Sequence, residues 1–181
     1  MATAEEITAL TEKMHSERAA LVALLSGMSD REAEVRPPDK DGAEGWSVKE
    51  QLAHLGEMEA TYRAWVRRAL TEDRPTLSEG IARNAGPTAL ERANEPTLAE
   101  LTAELERQRE QTLELIAGIA PGDYERTAIS PIFGELTVMQ WVRSYYRHDR
   151  MHQAQISGEE SDFQPRFRNG EPDQRRRRGR V

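Results

Sequence analysis

Four times along this chain a Ser or Thr stands three residues ahead of a Glu or Gln and opens a run of apolar residues at helical spacing. Thr3 with Glu6, Ser47 with Glu50, Thr97 with Glu100 and Thr137 with Gln140 all have the form S/T-x-x-E/Q. In that arrangement the hydroxyl and the longer side chain satisfy N–H groups that a helix start leaves without partners. One match is weak evidence, but four matches, each ahead of an apolar stripe, commit the chain to four helices. The stripes run Ile7, Leu10, Met14, Leu21, Leu24, Leu25, Met28; then Val48, Leu52, Leu55, Tyr62, Trp65, Val66, Ala69. The third is Leu98, Leu101, Leu105, Thr112, Leu115, Ile116, Ile119, and the fourth Val138, Trp141, Val142, Tyr145, Asp149, His152, Ile156. All step by three or four residues, and alternation is nowhere sustained, so a sheet is not expected.

The connections set the topology. Gly27, Pro121-Gly122 and Gly158 mark helix ends, and Pro37-Pro38 with Gly42 to Gly45 makes a polar loop between the first two helices. From Thr71 to Pro96 the chain carries Pro75, Gly80, Gly86, Pro87 and Pro96, with room for a short helical turn around Thr88 to Ala93. That stretch is long enough to cross the end of a bundle. The expected fold is all-α: a four-helix bundle with a long crossover connection between helices 2 and 3. Residues 1–158 form the bundle, and residues 159–181 form an Arg-rich tail expected to be disordered.

Composition narrows the chemistry. The chain has no cysteine, which removes disulfides, thiolate metal sites and cysteine nucleophiles. Any metal must be held by imidazole, carboxylate or water, as suits Zn, Ni, Mn or Fe. The net charge of −7 conceals an asymmetry: from Arg166 onward seven arginines face only Glu171 and Asp173, leaving an acidic body. An acidic body is a poor surface for nucleic acid, and the Arg175 to Arg178 run alone is a weak signal for one. No apolar run approaches a bilayer-spanning length and no signal-peptide pattern opens the chain, so a cytoplasmic protein without membrane contact is expected.

The candidate site lies in His148-Asp149-Arg150-Met151-His152. Two imidazoles four apart on a helix project from one face, the spacing that offers two nitrogens to one metal ion. On a helical projection His152 and Asp149 fall near the centre of the apolar face and His148 on its shoulder. Polar groups there cost free energy unless partnered, and a metal would partner both imidazoles at once. His54, on the flank of the second helix with Gln51 and Met58, is the third candidate ligand. His15 has no partner motif and reads as a surface residue.

At these residues the chain resembles the DinB-like superfamily of metal-binding four-helix bundles. Gly45-Trp46-Ser47-Val48-Lys49-Glu50-Gln51-Leu52-Ala53-His54-Leu55 is similar to the family's W-S-x-x-E-x-L-x-H-L start of the second helix. The stretch from Gly134 to Ile156, containing His148-Asp149-Arg150-Met151-His152, resembles its final helix. The resemblance implies a divalent-metal site of His54, His148 and His152, completed by water. It also implies relatives that include thiol-dependent S-transferases and a mycothiol-dependent maleylpyruvate isomerase.

Three neutral imidazoles leave a coordination position open, as catalytic sites do. A thiol there would be deprotonated near neutral pH, and a water there acidified. The expected function is therefore a metal-dependent S-transferase using a low-molecular-weight thiol such as mycothiol or bacillithiol, acting on a small-molecule substrate. Metal-dependent hydrolysis and metal binding without turnover are the alternatives. Asp149 is the expected carboxylate behind a ligand histidine. A homodimer is compatible with such a bundle, although no residue singles out an interface.

Overall fold

The computed structural model describes residues 1–38, 42–77 and 88–163. Its long helices are α1 (Ala4–Leu24), α3 (Val48–Thr71), α4 (Leu98–Ala117) and α5 (Val138–Ser157); α2 (Asp30–Ala33) is a single turn. Each of the four long helices begins with the expected reciprocal cap, at Thr3, Ser47, Thr97 and Thr137. A further box, Ser29 with Glu32, starts α2. At the other end of α5, Gly158 takes the left-handed conformation (φ 71°) that terminates helices and suits glycine.

Side-chain contacts fix the helix directions. Lys13 lies over the Tyr146 ring and Glu17 meets Gln153, so α1 and α5 run parallel. Glu59 meets Arg109 and Arg63 meets Thr112, so α3 and α4 are parallel as well. His54 lies against His152 and Trp65 against Trp141, which makes α3 and α5 antiparallel. The remaining pair, α1 with α4, is antiparallel, with Arg18 at Leu105 and Arg109 at Met14. Two parallel helices that follow one another in the chain require a connection as long as the bundle, about 36 Å for a 24-residue helix. The segment from Glu72 to Thr97 is that crossover. Within it the turn beginning at Thr88 is present, closed by the Arg92 N–H on the Thr88 carbonyl. Residues 78–87 lie outside the described residues.

The expectation of no sheet is corrected. Strands β1 (Thr127–Ser130) and β2 (Gly134–Thr137) form an antiparallel hairpin with Thr127 opposite Thr137 and Ser130 opposite Gly134. Ile129 also exchanges backbone hydrogen bonds with the crossover, donating to Pro75 and accepting from Leu77. Four-residue strands are too short to display a period, and in β1 the inward positions are Ala128 and Ser130, not a pair of large apolar residues. Gly134 (φ 82°), the first residue of β2, closes the tight turn between the strands.

The core has two apolar halves. Met14, Tyr62, Trp65, Ile116, Trp141, Val142 and Tyr145 fill the half beside the hairpin. Leu21, Leu52, Leu55, Leu101 and Leu105 fill the other. Between them lies a polar layer, and the histidines sit at its edge. No helix among the described residues is long and apolar enough to cross a membrane. Of the expected disordered tail, residues 164–181 lie outside the described residues; residues 159–163 fold back along α5, with Asp162 on Arg150 (2.7 Å) and Phe163 beside Arg147.

Candidate metal centre

His54 reaches the centre from the second turn of α3, and His148 and His152 from one face of α5. Their antiparallel helices bring them together. His54 Nε2 lies 3.2 Å from His148 Nε2, and His152 Nε2 lies 3.1 Å from the same atom. The three ligand atoms all fall within 4.8 Å of one another. His152 is fully buried, His54 is 7% exposed and His148 is half-buried. His15, read as a surface residue, is exposed.

Proton positions decide what these nitrogens offer. His152 Nδ1 lies 3.0 Å from Gln51 Oε1, an oxygen that can only accept, so Nδ1 donates and neutral His152 keeps a lone pair on Nε2. His148 Nε2 faces two such nitrogens and can supply at most one proton between them. A cation in place of that proton would give all three lone pairs one partner. Bonds of about 2.0–2.1 Å to a tetrahedral ion place ligand nitrogens about 3.3 Å apart, close to the spacing found. The donor set therefore fits a divalent ion.

Electrostatics keep the imidazoles neutral. Burial lowers the His54 pKa well below 6.5, with His148 adding to the effect. Burial, then the positive charge of Arg18, brings His148 down to about 3. His152 is held low by burial and by the other two rings. A neutral ring is the ligand-competent form. The same shifts make the metal-free protein acid-sensitive. Between pH 6.5 and about 3 the unfolded chain binds protons that the folded centre refuses, so stability falls as pH falls through that window. The expected slope is on the order of 1 kcal/mol per pH unit for each histidine. Urea unfolding in the presence of chelator at pH 7, 6 and 5.5 measures it, and a His148→Gln variant should show a shallower slope.

Behind the histidines lies the polar layer. Arg18 Nε and Nη2 grip both oxygens of Asp149 at 3.1 and 2.9 Å, and Nη2 also reaches Glu59 at 2.7 Å. Arg109 binds Glu59 at 2.8 Å and Asp149 at 2.8 Å. Burial pushes the Glu59 carboxyl up, but Arg109 and Arg18 outweigh it and hold it below the ordinary value. The square is buried on all four corners and neutral in sum. Asp149 was the carboxylate expected behind a ligand histidine. Both its oxygens instead go to Arg18 and Arg109, and the outer nitrogen of His152 goes to Gln51. The reason is geometric: Asp149 points into the bundle axis, where cations from α1 and α4 converge.

Gln51, Arg18, Glu59 and Arg109 thus stand beside or behind the histidines, and sequence reasoning did not place them there. Trp46 also belongs here, its indole edge-on to His54 (5.0 Å between centroids) and nearly parallel to His152 (13°). Tyr62 lies 6.0 Å from the His148 ring, centroid to centroid. Of the arginines on α5, Arg147 sits between the Tyr146 and Phe163 rings and Arg150 pairs with Asp162.

Comparison with known proteins bears on the family and the fold. The protein YuaE of Bacillus subtilis (strain 168), itself uncharacterized, is 29% identical over 142 residues, 73% of this chain and 85% of its own length. Among solved structures, YfiT from Bacillus subtilis matches with a TM-score of 0.69 over 87% of each chain at 16% identity. It is described as a probable metal-dependent hydrolase with an unusual four-helix bundle topology. At that identity the likeness establishes the fold, which the two parallel helix pairs share in outline with a four-helix bundle. Residues 13–156, most of the chain and all three histidines, match one family throughout, and the protein belongs to the DinB superfamily.

Proposed function

We propose that this protein is a metal-dependent enzyme that holds one divalent ion, of the Zn, Ni, Mn or Fe type, on His54, His148 and His152. The observation that carries this is the convergence of three neutral imidazoles on one point, with spacings of 3.1 and 3.2 Å. Bound there, a divalent ion supplies Lewis acidity, lowering the pKa of a thiol or a water at the position that three protein ligands leave open.

We assign the reaction to thiol transfer: a low-molecular-weight thiol such as mycothiol or bacillithiol attacks a small electrophilic substrate. One feature fixes the source of the thiol in such a transfer, and another favours transfer over hydrolysis. The chain has no cysteine, so a thiol nucleophile has to come from solution. Each buried carboxylate among the described residues is bound by an arginine: Glu50 by Arg36, Glu59 by Arg18 and Arg109, Asp149 by the same two. Such carboxylates make poor general bases, because giving up an ion pair opposes proton uptake. A thiol needs less help than a water, since its pKa starts near 8.5. Metal-dependent hydrolysis is the second reading, favoured by the description of YfiT.

Cobalt(II)-loaded protein separates the two. On adding mycothiol or bacillithiol, thiol transfer predicts a sulfur-to-cobalt charge-transfer band in the near ultraviolet, absent from His148→Ala. No band with either thiol, together with turnover of ester or amide substrates by the metal-loaded protein, would replace transfer with hydrolysis.

A further inference from the structure

We propose that Gln51 is a positioning residue of the centre, fixing His152 in the Nδ1–H tautomer so that its Nε2 lone pair is presented to the ion; this rests on the metal reading above. Gln51 is buried in the first turns of α3, on the helix that also carries His54. Its amide is held at both ends. Nε2 donates to the Trp46 carbonyl at 3.3 Å, and Oε1 accepts from His152 Nδ1 at 3.0 Å.

The orientation of a glutamine amide follows from its hydrogen bonds. The Trp46 carbonyl can only accept, so it takes the NH2 end and turns Oε1 toward His152. An amide oxygen likewise only accepts, so the imidazole must carry its proton on Nδ1. A neutral ring has one N–H, which leaves Nε2 free as a donor of its lone pair. Gln155, one turn along α5, is a second amide beside the ring, but Gln51 Oε1 is the amide oxygen in hydrogen-bond geometry with Nδ1, at 3.0 Å. Gln51 is therefore the oxygen that captures the His152 proton. The backbone of Trp46, just ahead of the α3 cap at Ser47, thereby sets a tautomer on the far helix.

This relay explains why a neutral amide occupies the place where carboxylate partners often back a ligand histidine. The bundle places Asp149, the carboxylate nearest in sequence, in the Arg18–Arg109 square. Gln51 supplies the acceptor from the opposite helix and adds no charge to a centre built from neutral groups.

The test uses the full chain and Gln51→Leu, Gln51→Asn and Gln51→Glu, with circular dichroism as the check on folding. Long-range 1H–15N correlation spectra of the metal-free protein read the His152 tautomer directly, and competition with a chromophoric chelator reads zinc affinity. Wild type is expected to show Nδ1–H. Gln51→Leu has no acceptor and Gln51→Asn is one methylene short, so both should lose the single tautomer. Both should also bind zinc about 10- to 100-fold more weakly. Gln51→Glu retains an acceptor oxygen and should restore the tautomer and the affinity. A wild-type His152 protonated on Nε2, or a folded Gln51→Leu or Gln51→Asn with unchanged tautomer and affinity, overturns the proposal. The tautomer is read without metal, so a correct tautomer in a protein that binds no zinc strikes the metal reading instead.

Discussion

Asp149→Ala is expected to destabilise the fold by about 3–5 kcal/mol, the cost of breaking a buried ion pair from one side. The carboxylate is fully buried and accepts from both Arg18 and Arg109. Its removal leaves two guanidinium groups sharing Glu59, one positive charge in excess inside the bundle. An exposed pair such as Arg92–Glu95 offers the contrast, since removing one partner there costs under about 1 kcal/mol. Urea unfolding of Asp149→Ala and Glu95→Ala against wild type makes the comparison. Removing opposite charges together, as Asp149→Leu with Arg109→Met, should cost much less than Asp149→Ala alone, because desolvation of the pair is relieved along with its attraction. A loss below about 1 kcal/mol for Asp149→Ala would mean that water or a shifted side chain compensates the square.

The second large effect concerns the metal. An ion that binds the folded chain alone stabilises it by RT ln(1 + [L]/Kd), about 4 kcal/mol at a thousandfold excess over Kd. Zinc added to chelator-treated wild type is therefore expected to raise the unfolding midpoint strongly. His152→Ala removes a fully buried imidazole from the proposed centre and should abolish the response, whereas His15→Ala, altered on the exposed face of α1, should keep it. An equal rise in the His152→Ala protein would place the ion elsewhere.

The four long helices were legible because their starts are written locally: a capping pair occupies four residues and needs no tertiary partner. The hairpin was not, because four-residue strands show no period and β1 finds a second partner, Pro75 and Leu77, only on the distant crossover. The histidines were legible from spacing and side, but spacing left open whether α3 and α5 run parallel or antiparallel. The arginine–carboxylate square is the most instructive case. In each stripe the apolar run skips one position, from Met14 to Leu21, Leu55 to Tyr62 and Leu105 to Thr112. In every gap a charged residue stands four after one apolar residue and three before the next: Arg18, Glu59 and Arg109. Asp149 holds the same place between Tyr145 and His152. A lone charge in a stripe reads as an interruption; four charges at one relative position, summing to zero, describe a buried layer. Gln51 carried no such signal, since its role depends on a carbonyl and an imidazole from two other segments.

The most direct measurement is metal content by inductively coupled plasma mass spectrometry. It needs tag-free protein purified without chelator, beside His54→Ala, His148→Ala and His152→Ala. A His54–His148–His152 centre predicts about one equivalent of a divalent ion in wild type and little in each variant. No metal in wild type after incubation with Zn, Ni, Mn and Fe in turn, or equal metal in all four proteins, would contradict it.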